Sequence, residues 1–136
     1  MKIVLDTNVL VSAIGWKGPP SRILRACRAG QFLLLTSPQV LEELTRVLTY
    51  PRLRVVTQHP DLPQILRWLH APERIVFPRR AIETVKADPS DNRVLEVAVE
   101  GHAEAVISGD DHLLRLRIFE GIPILSAASF CRRWNV

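Results

Sequence analysis

The stretch Lys2-Ile3-Val4-Leu5-Asp6-Thr7-Asn8 decides the fold. A short apolar run of this length reads as a buried strand, which puts Asp6 at its C-terminal tip. In open α/β sheets that edge is where ligands bind. A second run, Ala105-Val106-Ile107-Ser108, ends the same way in Gly109-Asp110-Asp111. Carboxylates at the tips of two apolar strands are poor stabilisers, because unpaired buried charge is costly. A metal-dependent active site is therefore the leading reading of these two segments.

Outward from them, strand-like runs alternate with helical ones, the pattern of a three-layer α/β/α sandwich with a central parallel sheet. A helix starts over 9–14, and a second is expected from Pro20 to about Ala29, with Ile23, Leu24 and Cys27 at helical spacing and Gly30 as its stop. Residues 32–36 read as the second strand. Ser37 and Pro38 suit the N-cap and first position of a helix to about Thr49. Pro51, Pro60, Pro63, Pro72 and Pro78 break the next stretch, where a helix is expected near 62–70 and a short strand at 74–77. Asp88-Pro89-Ser90-Asp91-Asn92 opens a helix to about Glu100, stopped by Gly101. A strand over 105–108, a short helix near 111–116, a strand at 122–125 and a helix after Ser126 complete the order. No internal repeat or linker interrupts it, so residues 1–136 are expected to form a single domain.

The hydrophobic share of 47% suits a packed core and argues against disorder. No apolar run approaches the ~20 residues needed to cross a bilayer, and no signal-peptide pattern opens the chain. A soluble, cytoplasmic protein without a membrane partner is expected. Cys27 and Cys131 have no C-x-x-C spacing and fit buried positions in a reducing compartment better than a zinc site. The net charge is +4, and only Lys2, Lys17 and Lys86 among the eighteen basic residues are lysines. Arginine binds phosphate through a planar fork, which suits a nucleic-acid partner; a GC-rich genome would give the same bias.

Helical geometry selects among the acids. On the 38–49 helix, Val40, Leu41, Leu44, Val47 and Leu48 form the apolar stripe. At about 100° per residue, Glu42 lies opposite that stripe and Glu43 on its flank. The same wheel places Asp91 inward with Val94, Leu95 and Ala98, and Asn92 outward. Each acid also has a plain structural reading. Asp91 suits a helix N-terminus, Asp88 or Ser90 could cap it, Glu43 could pair with Arg46 or Arg22, and Asp6 could cap the first helix. Four carboxylates converging on one edge would repel one another unless a cation neutralised them. Oxygen-only ligands favour Mg²⁺ or Mn²⁺, and such ions activate water for phosphodiester hydrolysis. The chain has no P-loop, G-x-G-x-x-G or G-x-S-x-G motif, and His59, His70 and His102 sit in surface-like contexts.

In order along the chain, Asp6-Thr7-Asn8, Glu43-Leu44, Asp88-Pro89-Ser90-Asp91-Asn92 and Ser108-Gly109-Asp110 resemble the motifs of PIN-domain ribonucleases, the family that includes VapC-type toxins of toxin–antitoxin pairs. Gly121-Ile122-Pro123-Ile124-Leu125-Ser126, followed by Phe130, resembles the closing strand and helix of one toxin branch. The resemblance implies Asp6, Glu43, Asp91 and Asp110 as catalytic metal ligands for Mg²⁺ or Mn²⁺, with Asn8 and Ser108 bonding the ligands or a water at the ion. Many relatives carry an Asp where this chain has His112, and Asp111 could compensate from the preceding position. The implied activity is an endoribonuclease, with RNA as substrate and a small antitoxin protein as partner. A homodimer is also implied, for which Leu62, Ile65, Leu66, Trp68 and Leu69 are available. Lys17, Arg22 and Arg93 are the candidate RNA contacts near the acidic edge.

Other readings fit less well. A haloacid-dehalogenase-type phosphatase needs a second Asp where Asn8 stands, and a phosphorelay receiver needs a late-strand lysine that Lys86 does not supply. A PIN fold that binds RNA or protein without cutting is the non-enzymatic alternative.

Overall fold

The computed structural model describes residues 1–136. Strand β1 (Lys2–Leu5) pairs in parallel with β2 (Leu33–Leu35) on one side and with β3 (Ala105–Ile107) on the other. β3 pairs in parallel with β5 (Ile122–Leu125), and β4 (Ile118–Phe119) closes that edge antiparallel to β5. The order is β2-β1-β3-β5-β4. Chain direction across the sheet therefore reverses at β1 and β3, the place where a crevice opens beyond the strand ends. The sequence pattern misses β4, whose hairpin turns through Glu120 (φ 48°) and Gly121 (φ 83°), both left-handed as a tight hairpin requires.

Side chains alternate between two cores. Ile3, Leu5, Leu34, Ala105 and Ile107 face one layer, while Val4, Leu35, Val106 and Ile124 face the other. Burial on both faces explains why these strands read as continuous apolar runs. The larger core is covered by α1 (Thr7–Gly15), α2 (Pro19–Arg28), α3 (Pro38–Val47), α4 (Arg54–Thr57), α5 (Leu62–Leu69) and α8 (Ala127–Trp134). The smaller one is covered by α6 (Ser90–Glu100) and α7 (Asp111–Leu114). The result is the expected α/β/α sandwich around a mostly parallel sheet. Ser37 caps α3 through a bond from the Val40 amide (3.2 Å), with Pro38 first in the helix. No helix is long and apolar enough to cross a membrane.

Three expectations need correction. The strand expected at 74–77 shrinks to one bridge between Thr36 and Ile75, because Pro72 starts a 3₁₀ turn and Pro78 has no amide to extend a ladder. Leu62, Ile65 and Leu69 are buried in the larger core, so only the half-buried Leu66 and Trp68 of that group keep any surface for a second copy. Asn92 does not point outward; it is 2% exposed. The segment 77–88 runs without helix or strand over the outer side of α6 and buries Ile82 and Val85 there. Asn92 accepts from the Val85 amide (2.8 Å) and donates to the Val85 carbonyl (2.7 Å). Glu96 accepts from the Ile82 amide (2.8 Å). A wheel built on α6 alone cannot see this strap, which makes both faces of the helix interior.

Gly101 ends α6 as expected, for a different reason. Its backbone stays right-handed, and the left-handed residue is His102 (φ 54°). A Cβ on Gly101 would stand 2.5 Å from Leu35 Cδ1 and 3.0 Å from the Val97 carbonyl. Close packing of α6 on β2 therefore requires glycine here. Gly101→Ala is expected to cost about 1–3 kcal/mol by overpacking, read as a lower midpoint in urea with an unchanged slope.

Candidate metal centre

The acids gather where β1 and β3 end. Asp6 follows β1 as the N-cap of α1, and one carboxylate oxygen accepts from the Val9 amide (2.8 Å). Its other oxygen accepts the hydroxyl of the fully buried Ser108. Ser108 in turn accepts from the Asp110 amide (2.9 Å), and the Asp110 carboxylate accepts from the His112 amide (2.7 Å) at the start of α7. Asp6 and Asp110 thus both cap helices at this edge of the sheet.

Asp91 stands in the first turn of α6, buried, and Asp88 in the turn before it. The Ser90 amide (3.1 Å) and hydroxyl (2.6 Å) both donate to one Asp88 oxygen, which fixes the bend that brings the two acids together. From α3, Glu43 accepts the Thr7 hydroxyl (3.0 Å), while Glu42 is exposed. Glu43 forms no ion pair with Arg46 or Arg22.

Carboxylate oxygens of Asp88, Asp91 and Asp110 lie within 4.8 Å of one another. Asp6, Glu43, Asp88 and Asp91 wall a cavity of about 20 Å³, with Thr7, Asn8 and Ser90 at its sides. That is room for one water-sized occupant. Burial, then the charges of Asp110, Asp88 and Asp6, push the Asp91 carboxyl up to about 7. Burial also raises Asp6, against the bonds from Ser108 and Val9 that favour its charged form. Asp91 Oδ2 is buried without a hydrogen-bond partner. An orphaned carboxylate oxygen beside two further acids is a defect for a structural cluster. It is what a hard divalent cation needs, and the all-oxygen set fits Mg²⁺ or Mn²⁺.

Of the residues singled out in the sequence, Asp91 and Asp110 belong to the tight three-acid group, with Asp88 as its third member. Asp6 and Glu43 line the cavity beside that group. Asp88 was legible only as a cap; its spacing of three from Asp91, across a proline, is the signal that would have found it. Asn8 is exposed at the cavity, Ser108 bridges Asp6 to the Asp110 backbone, and Asp111 and His112 are exposed outside the three-acid group. Lys17 lies beyond the far end of α1 and Arg22 is exposed on α2. Arg93 donates to the Ile82 carbonyl (3.1 Å) and pairs with Glu96 (3.0 Å).

The two glutamates of α3 make a clean comparison. Glu43→Gln is expected to reduce metal-dependent activity at least tenfold, and Glu42→Gln to leave it unchanged. Equal activity in the two variants would remove Glu43 from the site.

A family model described as PIN domain matches residues 2–112. The matched span carries Asp6, Glu43, Asp88, Asp91, Asp110 and the strands that position them, and it stops before β4, β5 and α8. No significant match was found among curated proteins or among solved structures. With most of its length matched, including every acid of the cavity, the chain belongs to the PIN domain family.

Proposed function

We propose that the protein is a Mg²⁺- or Mn²⁺-dependent endoribonuclease. The observation that carries this reading is Asp91, which has a buried, unpartnered carboxylate oxygen and lies in a group of three acids with carboxylate oxygens within 4.8 Å of one another. Those three acids would hold the ion, with Asp6 and Glu43 completing the negative wall. When bound, the ion supplies an activated water nucleophile near neutral pH and offsets charge on the scissile phosphate. Ser108 fixes Asp110 by bonding its amide, and Asp6 fixes Ser108. Asn8, uncharged and exposed at the rim, offers an amide donor to a phosphate oxygen without adding to the repulsion. Lys17 and Arg22, the cations from the sequence reading that form no ion pair, would meet RNA. A toxin role, an antitoxin that covers the acidic cavity and a homodimer are what the family resemblance implies, and a cytoplasmic location is the expectation from the sequence pattern.

Purified protein incubated with single-stranded RNA tests this reading. Cleavage is expected with Mn²⁺ or Mg²⁺ and is expected to stop on chelation. Metal-independent cleavage contradicts it. Mn²⁺ binding without cleavage of any RNA favours the non-cutting binding module instead.

A further inference from the structure

We propose that the basic pocket at the far end of α1 is a second binding site for single-stranded RNA, seating a nucleotide of the strand whose scissile phosphate lies at the acidic cavity. The pocket has a volume of about 400 Å³ between the end of α1, one face of α2 and the start of α5. Three cations line it, Lys17, Arg25 and Arg28, with Asp61 as the only acid. None of the three cations is paired, since the ion pairs of the fold engage Arg74, Arg79, Arg80 and Arg93. Trp16, 50% exposed, stands at the same pocket. Unpaired cations beside an exposed aromatic face are the equipment of single-strand binders: charge tracks the phosphates and the ring stacks on any base. The carboxyl end of α1 contributes about half a negative charge to the pocket, which three full positive charges outweigh.

The geometry of α1 ties the pocket to the cavity. Its only positions with solvent access are Asn8, Ser12 and Gly15, spaced four and three apart along one stripe, and its other six residues are buried. Asn8 lines the acidic cavity and Gly15 the basic pocket. The stripe carries no acid. Nine residues at 1.5 Å rise give it a length of about 14 Å, close to four stacked nucleotides at about 3.4 Å each. Of the other basic runs, Arg79-Arg80 is engaged by Glu100 and Glu120, while Arg115 and Arg117 form no ion pair. This proposal rests on the ribonuclease reading for the position of the scissile phosphate, and not for the binding of RNA itself.

The test measures binding of labelled single-stranded RNA in chelator, so that no cleavage intervenes. The variants are Arg25→Glu with Arg28→Glu, Trp16→Ala and Trp16→Phe. The double charge reversal is expected to weaken binding at least ~10-fold and to lower the salt slope by about 1.4, the share of two cations on a single strand. Trp16→Ala is expected to weaken binding about tenfold, with Trp16→Phe recovering most of it. The Mn²⁺-induced rise in melting temperature is expected to persist in all three. Unchanged affinity and salt slope in the double variant, with Trp16→Ala like wild type, would overturn the pocket proposal, even if Mn²⁺ binding and cleavage are normal. Wild-type protein that neither responds to Mn²⁺ nor cleaves RNA overturns the nuclease reading. Loss of RNA binding in the pocket variants would then still support the pocket.

Discussion

Asp91→Asn is expected to lower metal-dependent RNA cleavage by roughly 100-fold or more, since even partners that only orient metal ligands are worth 10–100-fold. The substitution keeps size and shape and removes the one acid whose buried oxygen lacks a partner. Without metal, the variant is expected to melt no lower than wild type, because a carboxylate crowded by Asp110, Asp88 and Asp6 opposes folding. The pH dependence gives the sign. Burial and the neighbouring acids push Asp91 up to about 7 in the fold, against about 3.9 for an ordinary aspartate. Between those values the folded state holds the proton more firmly than the unfolded state. Metal-free stability therefore falls as pH rises from about 4 to 7, and Asp6, shifted the same way, adds to the fall. In Asp91→Asn the Asp91 share of that slope disappears. Thermal melts of both proteins in chelator across this window check it; a wild-type slope of opposite sign contradicts it.

Asn92→Ala is expected to destabilise the protein by about 2–4 kcal/mol. The amide of Asn92 satisfies both backbone groups of Val85 in a buried setting, and each group left unpaired costs about 1–3 kcal/mol. The effect should reach the metal centre as well. Val85 is the last buried anchor of the strap before Asp88, so loosening it frees one of the three acids. Urea denaturation combined with a Mn²⁺ titration separates the two consequences, and both stability and Mn²⁺ affinity are expected to drop. Wild-type stability in this variant would mean that the strap is held elsewhere.

These two residues also mark where the sequence was and was not legible. The parallel sheet could be read because its strands are buried on both faces and so appear as unbroken apolar runs. Asp6 and Asp110 could be read because such runs end on them. Glu43 was separable from Glu42 because α3 packs on one side only, which is the condition a helical wheel assumes. That condition fails for α6. The strap over 77–88 has no periodicity of its own, yet it covers the outer face of α6 and turns Asn92 from a surface residue into a buried clamp. Asp88 was hidden for a related reason: an acid before a helix looks like a cap, and here it bonds Ser90 and joins the cluster at once. Lys17 stands past the C-terminal end of α1, the helix already expected over 9–14, with Asp6 at the other end of that helix. The apolar surplus of α5 resolved into core packing, since a proline-broken segment gives no sign of which face the helix turns inward.

Mn²⁺ binding at neutral pH, followed by titration calorimetry and by melting temperature, is the most direct measurement of the acidic centre. Wild-type protein is expected to bind the ion saturably and to melt at higher temperature in its presence, with both responses lost or strongly weakened in Asp91→Asn. A wild-type protein indifferent to Mn²⁺ at millimolar concentration, or an Asp91→Asn variant that binds as tightly as wild type, would contradict a metal centre built on Asp88, Asp91 and Asp110.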